Sequence, residues 1–255
     1  MGLDLVAGWR ELGLAEGTAV IVHASLSSLG PVPGGARVVV ASLVAAAGQA
    51  GTVAAPAFTP RIADPDPDHR GAPDTAIRAR RDAVPLFDAG TPSEMGAVAE
   101  AVRQWPGAVR SRHPQASVAA IGAHAREVVA AQPLGFALGA GSPFSKLYDL
   151  DASILLIGVG HDRNSFLHHA ETLARHRRLK VRRFPRLVDG ERIWCETLDV
   201  ANDNGTLFPV VGREFERVHG VREAEVGRAR CRLLPARPLV DFAVRRLDEL
   251  LGRSH

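Results

Sequence analysis

Residues 18–58, TAVIVHASLSSLGPVPGGARVVVASLVAAAGQAGTVAAPAF, decide the fold. The first part, TAVIVHAS (18–25), is a short β-branched run of the kind that makes a buried strand. It breaks into SLSSLGPVPGGA (25–36), where Gly and Pro stop the strand, and a helical stretch then runs to Ala47. GTVAAPAF (51–58) is a second strand candidate. Strand, loop, helix, strand in that order predicts α/β packing.

Upstream of this stretch, Leu5, Trp9 and Leu12 recur at helical spacing. Downstream, 59–92 is rich in Pro and Asp with little periodicity and reads as a long functional loop or lid. Thr91-Pro92-Ser93 opens a helix with Ser93 as its cap, ending near Trp105-Pro106-Gly107. SVAAIG (117–122) and ASILLIGVG (152–160) read as further buried strands, each followed by a helical stretch. Beyond 179 the pattern changes. LKVRRFPRLV and ERIWCETLDV flank Asp189-Gly190, a strong hairpin signal, and an amphipathic helix spans about Arg237 to Leu251. The expectation is one domain over 1–255: a mixed sheet with helices packed on it and a small β-rich addition near the C-terminus.

Composition narrows the class. A chain of 255 residues can bury a substantial core, and with 46% hydrophobic but 5% aromatic residues that core is mostly Ala, Val and Leu. The net charge of +3 helps attract an anionic cofactor without pointing to nucleic acid. In RHRRLKVRRFPR (175–186) seven of twelve residues are Arg or Lys, but Phe184 is the one aromatic, so it reads as a solvated face rather than a base-stacking surface. Cys195 and Cys231 have no CxxC spacing, which supports neither a disulfide scaffold nor a zinc ribbon. MGLDLVAGWREL does not read as a signal peptide, and Gly2 lacks the Ser or Thr at position 6 that myristoylation prefers. The longest apolar runs, such as VVVASLVAAA (38–47), are about half a membrane span. These features predict a cytoplasmic protein that binds neither membrane nor nucleic acid; monomer and homodimer both stay open.

Chemistry concentrates in NSFLHHAET (164–172). In a helix over 164–176, following a strand at 152–158, His168 and Glu171 are i, i+3 neighbours on one face. The carboxyl end of a strand is where open α/β sheets bind ligands. A neutral imidazole accepts a proton near pH 7, and a carboxylate on its other nitrogen fixes the tautomer, so the pair can act as a general base. His169 points about 100° away. Two other readings stand beside this one: a hydrogen-bonded histidine at a helix start, or a metal site of His161, Asp162, His168 and Glu171. The absence of HExxH weighs against the metal. SLSSLGPVPGGA offers hydroxyls at Ser25, Ser27 and Ser28 and accessible backbone at Gly30, Gly34 and Gly35. If a helix begins near Gly34, its free N–H groups suit a pyrophosphate, although Ser/Gly loops also serve as plain turns. The loop has neither Walker A spacing nor GxGxxG.

Seven segments carry a resemblance by their order: VHASLSSLGPVPGGA, PAFTP, TPSEMGAVAEAVR, PGAVRSRHPQASVAAIG, GSPFSKLYDL, LLIGVGHDRNSFLHHAE and VGRARCRLL. The chain resembles the aminoglycoside N3-acetyltransferase family, antibiotic acetyltransferases outside the GNAT superfamily, from about residue 5 to the C-terminal helix. The resemblance implies a family-specific α/β fold, acetyl-CoA as donor without a metal, and direct transfer to a polycationic amine, the 3-amino group of a 2-deoxystreptamine ring. The family's Asn-Thr-Ser-Leu-His-Leu-Ala-Glu matches at Asn164, Leu167, His168, Ala170 and Glu171, which implies His168 as base and Glu171 as its partner. Phe166 and His169 stand where the family usually has Ser and Leu. By the same resemblance Ser25, Ser27, Ser28, Gly30, Gly34, Gly35 and Ala36, with Thr91, Pro92 and Ser93, lie along CoA. Arg110 and His113 then turn toward the same channel, Arg112 beside them. A polycation needs local acids, and Asp64 (in ADPDPD) and Asp162 are the candidates. The competing expectations are a family member acting on a non-aminoglycoside amine, a non-catalytic CoA- or nucleotide-binding module, and a metal-dependent hydrolase.

Overall fold

A computed structural model of the chain describes residues 4–201 and 205–252; Gly2 lies outside them. The N-terminal half runs α1 (Leu5–Leu12), β1 (Ala19–Ala24), α2 (Gly35–Ala47), β2 (Thr52–Pro56), α3 (Thr75–Asp82), α4 (Ala97–Arg103), β3 (Val109–Arg110), β4 (Val118–Gly122) and α5 (Ala125–Val129). The rest comprises α6 (Pro143–Asp149), β5 (Ser153–Ile157), α7 (Phe166–Leu173), β6 (Leu179–Val188), β7 (Glu191–Val200), α8 (Leu207–His219), β8 (Arg222–Val226), β9 (Ala229–Pro235) and α9 (Ala236–Gly252). Short 3-10 turns at Leu26–Leu29 and His161–Arg163 follow β1 and β5.

Seven strands form one mixed sheet in the order β3-β4-β2-β1-β5-β9-β8. β2, β1 and β5 are parallel, and the outer pairings are antiparallel. The central strands are buried on both faces, which is why they read as unbroken apolar runs. Ile154 and Leu156 face a core shared with α5 to α9; Leu155 and Ile157 face the opposite core, with α1, α2 and α4. Trp9 is fully buried there and donates its indole N–H to Ser42 at 2.8 Å, so its one polar atom is satisfied.

Three expectations are corrected. The β-rich addition divides in two: β6 and β7 make a separate two-stranded ribbon, whereas β8 and β9 extend the main sheet beyond β5. The ribbon turns at Asp189 and Gly190, both with positive φ (51° and 83°), as a tight right-twisted hairpin requires. The lid at 59–92 contains α3, capped by Asp74, whose carboxylate accepts the Ile77 N–H at 2.8 Å. This segment docks on the ribbon through its own small core of Ile62, Val84 and Phe184. Ser93 does not cap α4. That helix starts at Ala97 after Gly96, and the Ser93 hydroxyl accepts the Met95 N–H in the preceding turn.

Candidate active site between β1 and β5

β1 and β5 are parallel neighbours whose continuations leave toward opposite faces: α2 packs on one side of the sheet and α7 on the other. A crevice opens at the carboxyl ends of strands where the chain diverges in this way. The Ser25 N–H donates to the Ile157 carbonyl at 2.9 Å, seating the serine loop against the end of β5. Gly158 there has φ of 60°, and a Cβ on it would lie 1.8 Å from Ser28 Oγ, so glycine is required for the loops to meet. Ser28 spends its own hydroxyl on the Ser25 carbonyl, and Ser25 and Ser27 share a hydrogen bond. Gly34 and Gly35 take positive φ to turn the chain into α2, whose first residue is Gly35, followed by Ala36. The Gly35 N–H donates to the Val32 carbonyl at 2.8 Å, and no side chain caps this 13-residue helix, whose other first-turn N–H groups suit an anion. Gly96 approaches the Ala24 carbonyl, which brings the Thr91–Gly96 segment to the same end of the sheet. In that segment the Thr91 hydroxyl bonds Asp88, Pro92 is exposed, and the Ser93 N–H is held by Glu100.

A cavity of about 330 Å³ lies beside this crevice, and His168 lines it together with Asp162, Asn164 and Ser165. Its other walls come from Phe58 and Pro60 after β2, Glu94 and Met95, Arg182 and Asp199 of the ribbon, and Phe208 of α8. Among the described residues three carboxylates face it, each beside an arginine: Glu94 with Arg61 (3.1 Å), Asp162 with Arg163 (3.2 Å) and Asp199 with Arg182 (3.0 Å). Arg61 and Arg163 are largely exposed, whereas the Asp199 pair sits at the cavity wall. Burial raises the Asp199 carboxyl above its usual range, opposed by Arg182 and two backbone N–H groups.

Behind the cavity, Glu171 is wholly buried and receives the Arg178 guanidinium through two nitrogens, at 2.9 and 3.0 Å. A buried carboxylate needs such a counter-charge, and the turn after α7 folds back to supply it. His169 packs inward, its Nδ1 hydrogen-bonded to the Leu138 carbonyl and its ring against Phe166 and Tyr148; burial lowers its pKa. Phe166 is core, edge-on to Phe144. Both departures from the family pattern are thus packing residues beneath α7. Burial pushes the Cys231 thiol up to about 11, far from a reactive thiolate.

Several expected site residues lie elsewhere. Asp64 faces Arg81 rather than the cavity, accepting 3.0 and 2.6 Å hydrogen bonds, with Arg183 at 4.0 Å; these arginines hold its carboxyl below the usual range. Arg110 is tied into the fold beside the Thr91 segment. It donates to the carbonyls of Ala57, Ala89 and Thr91 and to Ser117, and burial lowers its pKa to about 10. His113 is interior, accepting the Gln115 and Ala116 N–H groups at Nδ1 and donating from Nε2 to Leu134, with its pKa pushed down to about 4 by burial. Glu94, Asp199 and Phe208 were not singled out in the sequence. Glu94 lies in the matched TPSEMG segment, which was a usable signal; Asp199 and Phe208 had none. Among the described residues no group of three or more His, Cys, Asp or Glu could hold a metal ion, and no helix is long and apolar enough to cross a membrane.

The sequence model of the family described as aminoglycoside 3-N-acetyltransferase matches residues 21–248. An aminoglycoside N(3')-acetyltransferase-like protein of Bacillus subtilis (strain 168), YokD, is 34% identical over 92% of this chain and 87% of its own. Aminoglycoside N(3)-acetyltransferase VII of Streptomyces paromomycinus is 35% identical over 95% and 90%. Among solved structures, AAC-IIIb in binary complex with CoASH superposes with a TM-score of 0.87 at 30% identity, covering 97% of this chain and 96% of that one. AAC-VIa bound to sisomicin gives 0.87 at 32%, covering 97% of each. The chain belongs to the aminoglycoside 3-N-acetyltransferase family, and is an acetyltransferase with that family's mixed α/β fold rather than a GNAT fold.

Proposed function

We propose that this chain, acting as one domain, moves the acetyl group of acetyl-CoA directly onto the 3-amino group of an aminoglycoside's 2-deoxystreptamine ring, and so confers resistance. The observation that carries the reading is the position of His168, on a cavity beside the junction of β1 and β5, with carboxylates around it. An alkylamine attacks a thioester only as its free base. In the proposed step the amine nitrogen bonds to the acetyl carbon while His168 takes its proton, and the C–S bond breaks to release the CoA thiolate, which is then protonated. A positioned base contributes about 10²–10⁴-fold, and holding both substrates in one crevice contributes separately. Glu171 orients the imidazole and stabilises its protonated form, and Arg178 grips the Glu171 carboxylate through two nitrogens. Ser25, Ser27 and Ser28, the turn through Gly30, Gly34, Gly35 and Ala36, and Thr91-Pro92-Ser93 hold CoA, with the α2 N-terminus toward its pyrophosphate. Glu94, Asp162 and Asp199 meet the acceptor's ammonium groups. The relatives solved with CoASH and with sisomicin support both half-sites.

A second acceptor class is favoured by one observation: Glu94, Asp162 and Asp199, the cavity carboxylates among the described residues, each already have an arginine partner. That balance suits a less cationic, non-aminoglycoside amine. The test is thiol release from acetyl-CoA by the purified chain with an amine panel, with mass analysis of each product. A mono-acetylated aminoglycoside supports the first acceptor; turnover confined to simple amines supports the second; no turnover removes both and favours a CoA-binding module.

A further inference from the structure

We infer that His161 is a positioning residue for acetyl transfer: it ties helix α8 to the turn that leads into the helix of His168 and so sets how the imidazole meets the acceptor. The inference rests on the reading of His168 as the base. His161 is 3% exposed, and its Nε2 lies 3.0 Å from Glu216 on α8. Glu216 is also gripped by Arg232 of β9 at 2.7 Å, and a second Arg232 nitrogen holds the Val159 carbonyl at 2.8 Å. On its other side, His161 Nδ1 lies 3.3 Å from the Asn164 amide nitrogen, and the Asn164 side-chain oxygen accepts the Phe166 N–H that begins α7. An amide nitrogen can only donate, so Nδ1 accepts, which leaves Nε2–H to donate to Glu216. One neutral tautomer satisfies both bonds.

Space is reserved for this ring. A Cβ on Gly212 would come within 2.0 Å of it, so α8 carries glycine where the imidazole crosses. α8 also supplies Phe208, which stands edge-on to His168 at 4.6 Å. The network therefore fixes two neighbours of the base at once: the start of its own helix through Asn164, and the aromatic wall through α8. Glutamine presents an acceptor oxygen and a donor nitrogen at about the spacing of the two ring nitrogens. Leucine has similar bulk and offers neither.

The experiment compares His161→Leu and His161→Gln. The leucine variant should lose about tenfold to a hundredfold in kcat, with KM for acetyl-CoA and acceptor within about threefold, as misorientation of a catalytic group predicts. The glutamine variant should recover to within about threefold of the parent. In parallel, NMR of ¹³C-labelled histidine, with the His168 signal identified by its loss in His168→Ala, should show that signal displaced or broadened in His161→Leu and restored in His161→Gln. A leucine variant with parental kcat and an unmoved His168 signal overturns the inference; so does a glutamine variant as impaired as leucine, which would mean that only ring packing matters. If His161→Leu does not fold, Glu216→Ala, made at a more exposed residue of the network, should produce the same displacement in weaker form, and an unmoved signal there overturns it too. If the parent chain acetylates nothing, the proposed reaction fails, while the His168 signal still decides whether His161 sets the ring.

Discussion

Phe208 stands edge-on to the His168 imidazole, their centroids 4.6 Å apart and their planes at 76°. The His168 imidazole thus has an aromatic wall on the α8 side and the cavity in front of it. Replacing His168 by Ala should lower kcat by about 10²–10⁴-fold, while acetyl-CoA affinity, measured by calorimetry, stays within a few-fold. Parental turnover by this variant across the pH range would rule His168 out as the base.

Glu171 and Arg178 form a pair of which one member is wholly buried. In Glu171→Gln the guanidinium loses its counter-charge, which should cost about 2 kcal/mol, discounted for the partial exposure of Arg178, or a melting point lower by roughly 5 °C. Turnover should fall less than in His168→Ala, because the imidazole remains. Adding Arg178→Gln should return part of the melting temperature but none of the rate. Recovery of both together would mean that Glu171 matters only as a counter-ion.

The two acids expected at the acceptor separate by environment. Asp162→Asn should raise KM for a polycationic acceptor by roughly tenfold, the loss of one charged contact of about 1.5 kcal/mol. Added salt should then weaken acceptor binding more in the parent than in the variant. Asp64→Asn should leave acceptor KM unchanged but lower stability and speed proteolysis near 65–73, because Arg81 and Arg183 no longer fasten that segment. A shared rise in KM without loss of stability would return Asp64 to the acceptor site.

Acid should destabilise the fold before its carboxylates titrate. Burial lowers the pKa of His23 to about 3 and of His113 to about 4, and lowers His161 and His169 in the same direction. Unfolded, these histidines take up protons as pH falls through about 6.5, whereas the folded chain resists until much lower. The unfolded state binds more protons in that window, so stability rises with pH from about 4 to 6.5 and is lost as pH falls through it. Thermal melts at half-unit steps over roughly pH 7.5 to 4.5, the range of this linkage, should show a falling melting point; a flat or rising one contradicts the assignment.

The parallel strands were readable because Ile154–Ile157 and Val20–Val22 are apolar at every position, as burial on both faces demands. The spacing of His168 and Glu171 and the ordered motifs around them singled out a residue that lines the cavity, His168, and a buried carboxylate held by Arg178, Glu171. Asp199 was not: on β7 it turns inward while Leu198 turns out, an inversion of the polarity that strand patterning relies on. Asp64 misled for a related reason. Its partners, Arg81 and Arg183, come from α3 and β6, and local sequence places neither against it. Arg110 and His113 sit in a matched segment, yet their hydrogen bonds go to carbonyls and N–H groups of the fold itself.

The pairing of Val20 with Ser153 also orders events during synthesis. β1, α2 and β2 can pair soon after the first sixty or so residues emerge, about a quarter of the way through translation at a typical few residues per second. The serine loop after β1 then exists without its neighbour, and the edge of β1 stays bare until β5 arrives more than a hundred residues later, a costly loop to close. β9 must then cover β5 in turn, pairing Pro235 with Ser153. A nascent or truncated chain therefore exposes an apolar strand edge for most of its synthesis, and chaperone demand should peak before β5 is made.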